Sequence, residues 1–250
     1  MLVSTLYFIQ EKILFLPTAL EQDYRFQFNH RFEEINLKTE DGAILNAIHF
    51  KVNQPKGVIL YFHGNAGDLS RWGTIAEFFV EKGFDVLIMD YRTYGKSTGK
   101  LNEDVFYKDA DLFYKYVKDR YNESDITLYG RSLGTGIATN LASKNKPKQL
   151  ILETPYYSIT DVAQKRFPIL PVAFLLKYKF PSYQFISNVT CPIVIFHGTK
   201  DDVIPYSSAE KLYQSYSNKL TTFVKIEDGN HNNLVSFDLY QNQIKRILSV

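Results

Sequence analysis

The sequence predicts an α/β fold, a mostly parallel sheet with helices on both faces, and three observations predict it. From about residue 33 onward, strand-like and helix-like runs alternate. Residues 57–62 form an unbroken apolar run, as a strand covered on both faces requires. Several strand-like runs end in glycine-rich or polar turns, and ligands sit at the carboxyl ends of the strands in such sheets.

Taken in order, residues 35–38 and 43–50, joined by Asp41-Gly42, read as an antiparallel hairpin. The buried strand 57–62 follows, then an amphipathic helix over 69–82 that stops at Gly83, a C-terminal cap signal. A strand over 86–89, a helix over 102–121, a strand over 126–129 and a helix to about Lys144 come next. Strands at 150–152, 193–196 and 222–226 and helices at 207–216 and 234–248 complete the series.

The chain of 250 residues is read as one domain, with an N-terminal extension over 1–32 and an insertion over 154–189. That insertion holds four of the nine prolines and eight aromatics, and 169–176 is apolar nearly all round; we expect a small lid with apolar walls. The bland alternative is a loop packed on the domain. Residues 1–9 are largely apolar, but Gln10, Glu11 and Lys12 interrupt them far short of the roughly 20 apolar residues of a spanning helix. No basic n-region or small-residue cleavage site marks a signal peptide. Leu2, Leu6, Ile9, Ile13 and Leu16 share one helical face, which predicts a helix packed on the domain in preference to an interfacial anchor. A cytoplasmic protein is expected, with peripheral membrane contact through this segment as the open alternative.

Net charge is only +2, from 29 basic and 27 acidic residues, so no nucleic-acid footprint is expected. Cys191 is the single cysteine; it excludes an intramolecular disulfide and reads as a buried filler before a strand.

Chemistry concentrates at the strand ends. Gly130-Arg-Ser132-Leu-Gly134, between a strand and a helix, is the pattern of a nucleophile elbow, a turn sharp enough to strain the serine. Read alone, the pattern is also met by an ordinary glycine-bounded turn with an idle serine. His30 and His49 lie away from any strand carboxyl end and read as structural. His63 and His197 each end a strand before glycine, where a base and a turn device are equally served. His231, in the polar loop 227–232 before the last helix, is the preferred general base. Asp201 is the preferred acid that would orient it, with Asp202 and Glu153 as rivals. The order Ser132, Asp201, His231 is that of an α/β-type triad. The backbone N–H of Leu133 and that of Asn65, in the loop 63–67, are the expected oxyanion donors. That loop lacks the phosphate-binding patterns G-x-G-x-x-G and G-x-x-x-x-G-K-[ST].

The segments 60–67, 90–99, 130–134, 197–201 and 229–231, taken together, resemble successive signatures of the α/β-hydrolase superfamily. They most resemble the branch holding the bud-emergence-type hydrolases and the α/β-hydrolase-domain depalmitoylases, and Gln10-Glu-Lys-Ile-Leu-Phe-Leu-Pro17 is similar to the segment before that branch's domain. The resemblance implies an α/β-hydrolase fold, Ser132 as nucleophile, Asp201 as acid, His231 as base, and Asn65 and Leu133 as oxyanion donors. The branch commonly carries a spanning helix before the Gln-Glu-Lys segment, and tends to have glycine where Thr93 stands. Only nine residues precede that segment here, which makes a soluble or peripheral protein the expectation.

The expected function is hydrolysis of carboxylic esters or thioesters with a hydrophobic acyl group, with a small-molecule or acylated substrate as partner and no metal or organic cofactor. A serine peptidase of aminopeptidase type is the alternative. It would place carboxylates in the insertion to hold a free amine, and Asp161 is the only acidic residue there. A non-catalytic hydrolase-fold binding protein and a membrane-bound deacylase are the remaining readings.

Overall fold

The computed structural model describes residues 10–12, 14–217 and 219–249. An eight-stranded sheet forms its centre: β1 (Phe32–Lys38), β2 (Ile44–Phe50), β3 (Val58–Phe62), β4 (Asp85–Met89), β5 (Ile126–Arg131), β6 (Gln149–Glu153), β7 (Ile193–Gly198) and β8 (Thr221–Ile226). Across the sheet the order is β8-β7-β6-β5-β3-β4-β2-β1. Strands β3 to β8 pair in parallel, whereas β2 is antiparallel to both β1 and β4. This is the predicted α/β architecture with its N-terminal hairpin.

Side-chain alternation divides each strand between two cores. Val58, Leu60 and Phe62 of β3 face the cluster that holds Phe106 and Phe113 of α2 (Glu103–Lys118) and Ile137 and Leu141 of α3 (Leu133–Ala142). Ile59 and Tyr61 face the opposite cluster, with Trp72 and Phe79 of α1 (Leu69–Val80) and Ile244 of the last helix. Because every other residue must be apolar for each face, the strand reads as continuous. Side chains cap the helix starts: Asp68 accepts from the Ser70 amide, and Asn102, at the head of the run predicted as helical, from that of Val105.

The β6–β7 insertion carries α4 (Ile159–Arg166), α5 (Val172–Leu175) and α6 (Ser182–Ile186); α7 (Tyr206–Ser215) and α8 (Asp238–Leu248) follow. The run predicted as one helix over 234–248 is broken. Leu234–Ser236 is a 3₁₀ turn, and Phe237 is extended (φ −91°, ψ 132°) before α8 begins. Phe237 packs against the core through that extended link, and the 3₁₀ turn belongs to the loop that carries His231.

The N-terminal segment corrects a second expectation. Leu2, Leu6, Ile9 and Ile13 lie outside the described residues. Leu16 is not on a packed helical face but in an extended Leu16–Pro17 bridge parallel to Ala66–Gly67, 54% exposed, and Phe15 is buried instead. The segment runs across the sheet's carboxyl edge as a strap. The Thr18 amide donates to the Gly67 carbonyl (3.0 Å), the Gly95 amide to Thr18 (2.8 Å), and the Leu20 amide to Gly95 (2.9 Å). Further back, Gln10 Nε2 donates to the Leu175 carbonyl (3.1 Å) and the Lys177 amide to Gln10 Oε1 (2.7 Å). Among the described residues no helix is long and apolar enough to cross a membrane.

Candidate active site

Strand β5 delivers the site. Ser132, between β5 and α3, has φ 51° and ψ −117°, a strained conformation for a residue with a side chain. Neighbouring bonds hold it there: its amide donates to the Glu153 carbonyl (2.9 Å), and its own carbonyl accepts from the Thr135 amide (3.0 Å) and hydroxyl (2.6 Å). Both flanking glycines are required by space. A Cβ at Gly130 would stand 2.6 Å from the Gly134 carbonyl oxygen, and one at Gly134 would stand 2.1 Å from that of Phe62.

The loops after β7 and β8 bring their polar residues to this turn. His231 Nε2 lies 2.9 Å from Ser132 Oγ, and His231 Nδ1 lies 2.8 Å from Asp201 Oδ2. The other carboxylate oxygen of Asp201 accepts from the amides of Val203 (2.9 Å) and Ile204 (2.8 Å), which fixes the carboxylate plane. With Asp201 on Nδ1, that nitrogen carries the imidazole hydrogen and Nε2 is left to accept the serine proton. All three residues are buried.

The other candidates are placed apart from this contact. His63 Nδ1 donates to the Gly64 carbonyl (2.6 Å), and its Nε2 faces Asp90 Oδ1 at 3.2 Å. Burial raises the Asp90 carboxyl above its ordinary value, an effect His63 opposes. His197 Nε2 donates to the Ile204 carbonyl (2.9 Å) and lies 3.4 Å from Asp201 Oδ2. Burial lowers its pKa, so it packs as a neutral ring beneath the acid loop. His30 bonds Glu77 and His49 bonds Tyr121, both far from the serine in their contacts. Glu153 is engaged by Arg131 and the hydroxyls of Tyr129 and Tyr240, and Asp202 is exposed.

Asn65 and Leu133, the two residues expected to offer amides, border the same cavity as Ser132. Leu133 opens α3, so its N–H has no intrahelical acceptor. The Asn65 side chain is taken up by structure: Nδ2 donates to the Leu14 carbonyl and Oδ1 accepts from the Tyr94 hydroxyl (2.9 Å). Tyr94 and the Leu14 carbonyl escaped notice in the sequence. Tyr94 belongs to the segment 90–99, yet nothing in its spacing signals a bond to Asn65. Thr93, where the related branch tends to have glycine, takes φ 72°, the left-handed region that favours glycine.

Two cavities meet at Ser132 and Asn65. One of about 460 Å³ is walled mainly by apolar side chains, among them Phe15, Ile159, Val162, Phe167 and Tyr178. A smaller recess of about 250 Å³ on the other side is bordered by Arg71, Trp72, Arg131 and His231. Among the described residues no group of three or more His, Cys, Asp or Glu side chains is gathered so as to hold a metal ion.

Comparison with known proteins places this geometry in a family. Residues 53–189 match the family profile Hydrolase_4, described as serine aminopeptidase, S33. An uncharacterised protein of Acanthamoeba polyphaga mimivirus is 31% identical, covering 92% of this chain and 88% of its own. Alpha/beta hydrolase domain-containing protein 17C of Xenopus tropicalis is 30% identical, covering 87% and 70% respectively. An esterase of Pyrococcus furiosus superposes with a TM-score of 0.74 at 20% identity, over 94% of this chain and 97% of that one, a likeness of fold. The chain belongs to the α/β-hydrolase superfamily, in the family described as serine aminopeptidase, S33, and is related to the branch that contains alpha/beta hydrolase domain-containing protein 17C.

Proposed function

We propose that this protein is a serine hydrolase that cleaves carboxylic esters or thioesters bearing a hydrophobic acyl group. The observation that carries the reading is the unbroken chain Ser132 Oγ, His231, Asp201, with contacts of 2.9 and 2.8 Å, at the floor of an apolar cavity. Ser132 Oγ attacks the substrate carbonyl carbon while His231 Nε2 takes its proton, and Asp201 stabilises the imidazolium. The oxyanion forms against the N–H groups of Leu133 and Asn65, donors of a kind worth about 3–4 kcal/mol of barrier. Collapse breaks the bond to the alcohol or thiol, which leaves with the proton from Nε2. Water then attacks the acyl carbon while the same nitrogen takes its proton, and the bond to Ser132 Oγ breaks as that proton passes to Oγ, releasing the acid.

The apolar cavity suits the acyl group, and the recess beside Arg71 and Arg131 suits a polar leaving group. The insertion 154–189 acts in this reading as a lid that supplies Ile159, Val162 and Phe167 to the acyl wall. A fluorophosphonate probe is expected to label the wild type and to miss Ser132→Ala; equal labelling of both would remove Ser132 from the reaction.

The family's description keeps aminopeptidase activity as the second reading. Against it stands Asp161, the one acid of the insertion, which is engaged by Ser208 (2.7 Å), Lys211 (2.9 Å) and Lys165 (3.2 Å). Longer-chain p-nitrophenyl esters should be turned over faster than aminoacyl anilides; the reverse order selects the peptidase.

A further inference from the structure

The strongest feature outside the catalytic contacts is the crest of the β6–β7 insertion. Ile169 is 95% exposed and Phe174 89%, with Phe167 beside them in sequence at 49%. Large apolar side chains displayed together this fully mark an interaction surface. Successive turns hold them out: the Leu170 amide donates to Phe167 (3.1 Å), Val172 to Leu170 (2.8 Å) and Phe174 to Pro171 (3.1 Å).

Charge says what the surface meets. Lys165, Arg166, Lys177 and Lys179 are exposed on the same insertion. Its one acid, Asp161, is engaged by Ser208, Lys211 and Lys165 (3.2 Å). Among the described residues, the carboxylates of Glu11 and Glu103 also touch it, and they are occupied by the Tyr178 hydroxyl and by the Lys179 and Phe180 amides. Apolar tips within a cationic fringe form the pattern that binds anionic lipid interfaces. A second copy of this chain would oppose cation to cation. Among the described residues, Gln10 bonds Leu175 and Lys177 of this same insertion and brings no charge to complement the fringe. Around the cavity mouth, Val203 (45% exposed) and Leu16 (54%) extend the apolar border.

We propose that the crest of the insertion is a docking surface for an anionic lipid bilayer, which seats the mouth of the Ser132 cavity against the membrane. Ile169 and Phe174 enter the acyl boundary, and the basic residues meet lipid phosphates.

The test is flotation of the full chain, carrying Ser132→Ala so that no lipid is turned over, with phosphatidylcholine vesicles that contain or lack phosphatidylserine. Binding is expected to the phosphatidylserine vesicles and to weaken as salt rises. Ile169→Asn together with Phe174→Asn is expected to lower that partition at least about tenfold, since two large side chains lose their burial. The same pair in an otherwise wild-type chain should leave hydrolysis of a water-soluble short-chain ester unchanged, which also reports correct folding. Three results would overturn the proposal. These are equal partition of the double variant and its parent, no partition of the parent to phosphatidylserine vesicles, and a dimer in light scattering that the double variant dissociates. None of these readings depends on turnover, so they stand apart from the fate of the catalytic assignment.

Discussion

At the scale of single residues, Tyr94 is the side chain whose removal isolates positioning from chemistry. Its hydroxyl donates to the side chain of Asn65, whose backbone N–H is the proposed oxyanion donor, and also meets the Leu16 backbone. Tyr94→Phe leaves Asn65 Oδ1 without that bond, a loss of about 0.5–1.5 kcal/mol of ordering. The expected outcome is kcat down by about three- to tenfold at nearly constant KM, because the donor matters when charge develops. A shift in KM alone would place Tyr94 in binding instead. Ser132, Asp201 and His231, which the fold brings into contact, were legible as candidates because each follows its own apolar run and their chain order has chemical meaning. Tyr94 and Leu14 were not, since their bonds to Asn65 span 29 and 51 residues and depend on the packed fold.

At the scale of elements, one carboxylate in the first turn of α2 anchors the last part of the insertion to the domain. Glu103 accepts from the amides of Lys179 (2.5 Å) and Phe180 (3.1 Å) and from the Tyr107 hydroxyl (2.9 Å). Glu103→Ala frees two backbone donors next to the buried Phe180 and should cost about 1–2 kcal/mol, less than for a fully buried acceptor because Glu103 is half-buried. Hydrogen exchange over 177–180 is expected to quicken while β5 and β6 stay protected; uniform acceleration would mean that Glu103 supports the whole domain rather than the insertion. The insertion's limits could be read from its prolines and aromatics. Its anchors could not, because a glutamate at a helix start reads as a dipole partner and serves here as an acceptor for a distant loop. Strand ends were also read short: β5 continues through Gly130 and Arg131, polar and small residues that the pairing with Leu152 and Glu153 keeps extended.

At the scale of the whole molecule, the histidines set an acid limit on stability. Burial, aided by the charge of Lys51 and opposed by Asp85, lowers the His49 pKa to about 3 from the ordinary 6.5. Its Nε2 lies 3.2 Å from the Tyr121 hydroxyl, and its buried Nδ1 has no partner to receive a new proton. The unfolded chain takes up that proton near 6.5 and the folded chain resists it, so stability is full above 6.5 and declines toward pH 3. The slope is at most about 1.4 kcal/mol per pH unit for this group, and His197 acts in the same direction. Between pH 7 and pH 5 the melting temperature of the wild type should fall further than that of His49→Gln; parallel declines would assign the acid sensitivity elsewhere. The two-faced sheet was legible from runs apolar at every position. The strand order was not, because β4 and β5 flank β3 through crossovers that leave no local mark.

The strap over Leu16 to Leu20 carries a consequence for the order of folding. Its partners are Gly67 and Gly95, and just before it Leu14 and Gln10 are bonded to Asn65 and to residues as distant as Lys177. Contacts across so long a separation close late, because the entropy of closing the loop is met before they reward it. The loop that carries Asn65 is therefore completed only after the sheet beneath it has formed.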